Sequence, residues 1–211
     1  MNNILVIGTG GLAREFTSYF SEFSERLSII GYSSSNYDEH HKFGLPGKFF
    51  MGDITPELVG TYDAVIAIGN PGIKKKLAAA LGAAGFRFPS FIHPTSTVSK
   101  RTTLGQGTII SPNCMVSPNV VINSFSYLNF GVGVGHDTII GEFCQINPGC
   151  QLGGFSVIGD ETLIGSGSTI LQGIRIGNKV TIAAGSVVFS VVSDGATMMG
   201  NPAKRMLAFE K

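Results

Sequence analysis

The 211-residue sequence predicts an α/β part followed by an all-β part: a small parallel α/β domain over residues 1–91, then a parallel β-helix with a C-terminal tail over residues 92–211. Three observations carry this. The chain opens as an apolar strand, a glycine turn and a helix, with Gly8-Thr9-Gly10-Gly11 as the turn. From Val98 to Val188 an aliphatic residue stands at every sixth position, sixteen in register with no polar interruption. Two residues before each lies a slot that holds only small or β-branched residues, such as Ser126, Val132, Thr138 and Cys144. Neither a helix nor an alternating strand has that period, so it marks an internal repeat.

In the first part, Asn3 to Ile7 reads as a buried strand and Leu12 to Phe23 as a helix. Strands follow at Ser28 to Tyr32 and Ala64 to Ile68, with His40 and His41 in a polar loop between them. Asn70 is a good N-cap and Pro71 a good first helical residue for a helix reaching about Ala84, closed by Gly85. Lys74 to Lys76 read as a solvated face of that helix, and Arg87 to Ile92 as a strand leading out. Ligands of parallel sheets bind beyond the carboxyl ends of strands, so Gly8, Gly10, Gly11, Gly69 and Asn70 are candidates for substrate binding. The alternative is that these glycines only permit tight turns.

In the second part, a six-residue unit of short strand and corner cannot bury its apolar side alone. Three units make a triangular coil, and sixteen give about five coils with the aliphatic residues stacked inside. Residues directly after the aliphatic, such as Gly135, Gly153 and Gly165, are expected to permit the corners. Cys114, Cys144 and Cys150 all fall in the small-residue slot, which favours packing over metal or disulfide chemistry.

Charge is balanced, 15 basic against 14 acidic residues, and no basic stripe suits nucleic acid. The opening MNNILVIG lacks a leader pattern and no apolar run suits a membrane span, so a cytoplasmic location is expected. Of four histidines, His93 precedes Pro94 and reads as structural. His136 follows the inner Val134 by two, which places it outward at a coil corner beside Asp137. An imidazole partnered by a carboxylate suits a general base. Asp137 could equally cap a turn.

The GxGG turn, the Ala67 to Asn70 segment followed by Lys75 and Lys76, the Phe91 to Pro94 segment and the repeats together resemble the hexapeptide-repeat sugar acetyltransferases of the sialic acid and bacillosamine type. That resemblance implies a Rossmann-like N-terminal domain for the nucleotide of a sugar and a left-handed β-helix for acetyl-CoA as cosubstrate, with no metal. It implies His136 as base, oriented by Asp137, with Gly154 donating its N–H to the thioester oxygen. Asn129 matches a residue beside the sugar, or merely occupies a corner. Gly153, Gly154, Gly173, Ala183, Ala184 and Lys204 would meet acetyl-CoA, although Lys204 could be only a tail charge. Leu12 and Tyr32 to Ser35 depart from the pattern, which has a histidine in the glycine turn and carboxylates after the second strand. The ribose or base contact of those carboxylates is expected to be missing.

Three further readings remain: O-acetyl transfer to a sugar or other hydroxyl, a zinc lyase, which needs three His ligands, and a non-catalytic scaffold. The resemblance also implies a homotrimer with sites between neighbouring β-helices.

Overall fold

The computed structural model describes residues 2–21, 27–52 and 58–206. Contacts divide the chain into two compact units, Met1–Pro89 and Ser90–Lys211.

In the first unit, β1 (Asn2–Ile7) is the strand with neighbours on both sides that also buries Ile4, Leu5 and Val6 completely. It pairs in parallel with β2 (Leu27–Ser34) and β4 (Asp63–Ile66), and β3 (Lys48–Met51) completes the order β3-β2-β1-β4. Helix α1 (Gly11–Ser21) buries Ala13, Phe16 and Phe20, one helical stripe. Residues 22 and 23 of the expected helix lie outside the described residues. Helix α3 (Pro71–Ala83) starts as expected: the Asn70 side chain accepts from Ile73 N at 3.0 Å.

Three segments differ from the expectation. His40 and His41 lie on a short helix, α2 (Tyr37–Lys42), not in a loop. The Asn36 side chain caps it, and acidic residues in its first turn and basic ones in its last suit the helix dipole. Lys74 is not on a solvated face but is 3% exposed, because the capped start of α3 sets that position inward. Residues 87–92 form no continuous strand: Arg87 makes an isolated bridge to Asp63, and Phe91–Ile92 pair with Ile109–Ile110.

The second unit is a parallel β-helix of two-residue strands on three faces. The first face runs from Phe91–Ile92 to Thr197–Met199, the second from Thr97–Val98 to Val187–Val188, the third from Thr103–Leu104 to Arg175–Ile176. Up to Val187–Val188, strands pair in register with those eighteen residues on, as Tyr127↔Gln145 and Gly133↔Gln151 show, and the last first-face pair, Thr181↔Thr197, is sixteen apart. Fourteen of the sixteen aliphatic positions are at most 3% exposed, and Val98 and Leu104 pack against them from the first coil.

The small slot does more than fill space. Ser126 Oγ donates to Gly141 O at 2.7 Å and accepts from Cys144 N at 2.9 Å, and Cys144 Sγ in turn lies 3.1 Å from Gly159 O. Ser168 repeats the pattern with Ala183 O and Ser186 N. The slot is therefore a hydrogen-bonded ladder between coils, which explains its hydroxyls and thiols. The three cysteines are buried and free, and burial pushes Cys150 up to about 11, so its thiol is inert.

The corners turn elsewhere than expected. Left-handed φ falls three residues after each aliphatic, at fourteen successive corners from Gly107 to Gly185, with φ between 54° and 74°. Glycines directly after the aliphatic have ordinary φ and are needed for coil stacking: a Cβ on Gly153 would come within 2.5 Å of Gln172 N.

Candidate active site

His136 and Asp137 occupy the corner between the second and third faces, just past the strand Gly133–Val134. Asp137 is one of the left-handed corner residues, φ 59°, and its N–H donates to Pro118 O one coil away. That backbone turn brings its carboxylate beside the preceding side chain. His136 Nδ1 lies 2.8 Å from Asp137 Oδ2, and Asn119 Nδ2 donates to Asp137 Oδ1 at 3.0 Å. The bond from His136, then that from Asn119, hold the Asp137 carboxyl below the usual carboxylate range. An ionised carboxylate accepts only, so Nδ1 carries the proton and Nε2 of the neutral ring is an acceptor.

One coil on, Gly154 lies against the ring: a Cβ there would come within 2.8 Å of Nε2. Phe155 sets its ring edge-on to His136, centroids 4.9 Å apart at 89°. Gly154 N–H makes no hydrogen bond with the described residues, while Gly154 O accepts from Gly173 N at 2.9 Å. Thus His136, Asp137, Gly153, Gly154 and Gly173 share one corner, stacked coil on coil.

Alongside runs a groove of about 540 Å³ across the outer side of the second face. Its floor is set by Gly133, where a Cβ would collide with the Gln151 carboxamide. Gly135 and Gly153 form the edge next to His136, and Asn113 and Gly131 the opposite edge. Met115 and Leu171, 64% and 43% exposed, give it an apolar lining.

Other predicted residues lie apart from this corner. Asn129 is 5% exposed and its Oδ1 accepts from Phe130 N at 2.7 Å, so it serves the corner between the first and second faces. Ala183 and Ala184 follow the first-face strand Thr181–Ile182, at that same corner further along. Lys204 is exposed on a terminal strand that pairs antiparallel with Met198 and Met199. His93 is buried, with Nδ1 2.8 Å from Thr95 Oγ1. No group of three or more His, Cys, Asp or Glu that could hold a metal ion comes together among the described residues.

In the first unit, the glycine turn and Gly69-Asn70 sit side by side at the carboxyl ends of β1 and β4, where Ala67 N donates to Ile7 O. Gly8, φ 113°, is needed for that approach, since a Cβ would meet Ile68 Cδ1 at 2.8 Å. Gly10 and Gly69 face open space. Sequence reasoning missed Glu39: Thr9 Oγ1 donates to Glu39 Oε2 at 3.0 Å, so α2 brings a carboxylate to these strand ends. It also missed Asn119 and Gln151. Asn119 lies eighteen residues, one coil, from Asp137, and that spacing was the available signal; Gln151 pairs with Gly133, for which there was none.

A small parallel α/β unit followed by a β-helix with a histidine at a coil corner is the arrangement that the resemblance implied. The comparisons agree. Residues 137–172 match the bacterial transferase hexapeptide (six repeats), residues 156–190 the hexapeptide repeat of succinyl-transferase, and residues 3–81 the PglD N-terminal domain. The chain thus combines hexapeptide-repeat matches with a match to the PglD N-terminal domain, and its β-helix is the left-handed kind.

Among solved structures, the acetyltransferase domain of PglB from Neisseria gonorrhoeae FA1090 aligns with TM-score 0.85 at 28% identity, covering 98% of this chain and 100% of that one. PerB from Caulobacter crescentus, in complex with CoA and GDP-perosamine, aligns with TM-score 0.87 at 26% identity, covering 98% of each. A curated relative, the UDP-N-acetylbacillosamine N-acetyltransferase of Bacillus subtilis, is 28% identical over 110 residues, 52% of this chain and about half (51%) of that relative's length. Among the described residues, no helix is long and apolar enough to cross a membrane.

Proposed function

We propose that the protein transfers the acetyl group of acetyl-CoA to the amino group of a nucleotide-linked amino sugar, with His136 as general base. The observation that carries this is the Asp137-held imidazole whose acceptor Nε2 points at the space Gly154 leaves by having no side chain. In the reaction, Nε2 takes a proton from the amine as its nitrogen attacks the thioester carbon. The C–S bond then breaks, and CoA leaves as the thiol on taking up the proton that Nε2 holds. A positioned base of this kind contributes about 10²- to 10⁴-fold. The Gly154 N–H is the donor for the oxygen on which charge builds.

The groove with Gln151, Met115 and Leu171 suits an extended, partly apolar acyl carrier arm, with Gly153 and Gly173 giving close backbone approach. Ala183, Ala184 and Lys204 are its proposed contacts further along. The nucleotide lies at Gly8, Gly10, Gly11, Gly69 and Asn70, where Glu39 supplies the carboxylate that residues 32–35 lack. The PerB complex with CoA and GDP-perosamine supports both halves of this reading. Free, buried cysteines accord with a reducing cytoplasm. Exposed Met115, Phe155 and Leu171 around the dyad support a homotrimer in which a neighbour closes the site. A sedimentation value for a monomer at micromolar concentration would contradict that assembly.

The test is turnover of acetyl-CoA with a panel of UDP-, GDP- and dTDP-linked amino sugars, beside matched hydroxyl acceptors. Acetylation of an amine supports the reading. Turnover of hydroxyl acceptors alone would replace it with O-acetyl transfer.

A further inference from the structure

We infer that Asn119 is a positioning residue that fixes the Asp137 carboxylate so that one oxygen is committed to His136. The inference rests on the reading of His136 as base. Asn119 and Asp137 are corner residues one coil apart, both left-handed, with φ of 62° and 59°. Their stacking gives the amide a single role: Nδ2 donates to Oδ1 at 3.0 Å, leaving Oδ2 to accept from His136 Nδ1 at 2.8 Å. Without the amide, the carboxylate has one anchoring partner and turns freely between its two oxygens. The imidazole then loses its preference for the Nδ1–H form, and Nε2 is the acceptor in a smaller fraction of molecules.

The charged groups that act on Asp137 are His136 and, more weakly, Arg101, a further coil along the same corner. Arg101 favours the ionised carboxylate but donates no hydrogen bond to it, so orientation falls to Asn119. The residue type fits both demands: asparagine is among the side chains that tolerate left-handed φ, and its amide donates where aspartate would repel.

Two variants separate the amide from the backbone. Asn119→Gly removes the amide and suits φ 62°, and Asn119→Asp keeps the shape but sets a carboxylate against Asp137. The full-length protein is read by ¹⁵N NMR of the His136 ring and by kcat and KM across pH. In Asn119→Gly the Nδ1–H fraction falls and kcat drops by about 10-fold, with KM for acetyl-CoA unchanged; in Asn119→Asp kcat drops further. An unchanged ring tautomer and pH profile in both variants overturns the inference. Because the tautomer is read without turnover, activity that persists in His136→Ala would count against the base reading alone.

Discussion

Gly154 faces the imidazole of His136 so closely that a single methyl group would come within 2.8 Å of Nε2 and 2.9 Å of Cε1. The two residues lie on successive coils of the same corner, so the repeat itself sets their distance. The missing side chain keeps the acceptor nitrogen open toward Gly154.

Gly154→Ala should therefore displace the ring rather than unfold the chain, because His136 is 52% exposed at its side chain and can swing outward. A shift of about 1 Å in a reacting group lowers kcat by roughly 10²-fold. The melting temperature should change little, since the three atoms nearest to the added Cβ all belong to the His136 ring, which can move away. Steady-state kinetics beside calorimetry checks both. Unaltered kcat would show that Nε2 is not used.

Asp137 gives a pH signature. Its carboxyl is held below the usual carboxylate range by His136 and Asn119. A carboxyl whose folded pKa is lowered stabilises the fold above its unfolded pKa, and the gain disappears as pH falls through the folded value. The stability difference between wild type and Asp137→Asn should be constant above about pH 5 and vanish in stronger acid than an ordinary carboxylate near pH 4 requires. Urea midpoints across pH measure it, and a difference that persists in acid contradicts the assignment. Between pH 5 and 8 the carboxylate stays charged, so any acid limb in kcat/KM belongs to another group.

The hydrogen-bonded slot predicts an unusually costly serine. Ser126→Ala deletes the donor to Gly141 O and the acceptor for Cys144 N, both within the buried wall. Leaving those groups unpaired should lower unfolding free energy by about 1–3 kcal/mol. Ser126→Cys, which repeats the chemistry of the neighbouring slots at Cys144 and Cys150, should recover part of it.

Two glycines test the two reasons for glycine in the repeat. Gly149, φ 69°, has open space where a Cβ would sit, with nothing within 4 Å, so Gly149→Ala meets only backbone strain, about 1–2 kcal/mol. Gly165 has ordinary φ, but a Cβ would collide with Ala184 N on the next coil. Gly165→Ala must move a coil and should lose more stability. Equal losses in the two variants would mean that coil spacing is softer than the ladder implies.

The period of six made the inner stack, the slot with its cysteines and the outward corner of His136 legible, because stacking coils impose one residue type at one phase. The corner turns were not legible. Left-handed φ falls on Asn113, Phe125, Phe143, Glu161 and Lys179 as well as on glycines; the N–H groups of Phe125, Phe143, Glu161 and Lys179 are each tied to a carbonyl one coil away, and that of Asn113 to Thr95 Oγ1, which offsets the strain. Helix α2 was hidden because six polar residues carry no apolar stripe; its cap and its charge order hold it. Glu39 was missed with it. Asn119 escaped notice because its partner lies eighteen residues away, and only the coil repeat makes them neighbours.

The role proposed for His136 is to carry the proton in acetyl transfer. The most direct measurement is the rate of acetyl transfer to a nucleotide-linked amino sugar by His136→Ala against the wild type, with acetyl-CoA binding followed in parallel. Loss of about 10²- to 10⁴-fold in kcat with binding retained is the predicted result. Transfer at the wild-type rate by His136→Ala would contradict it.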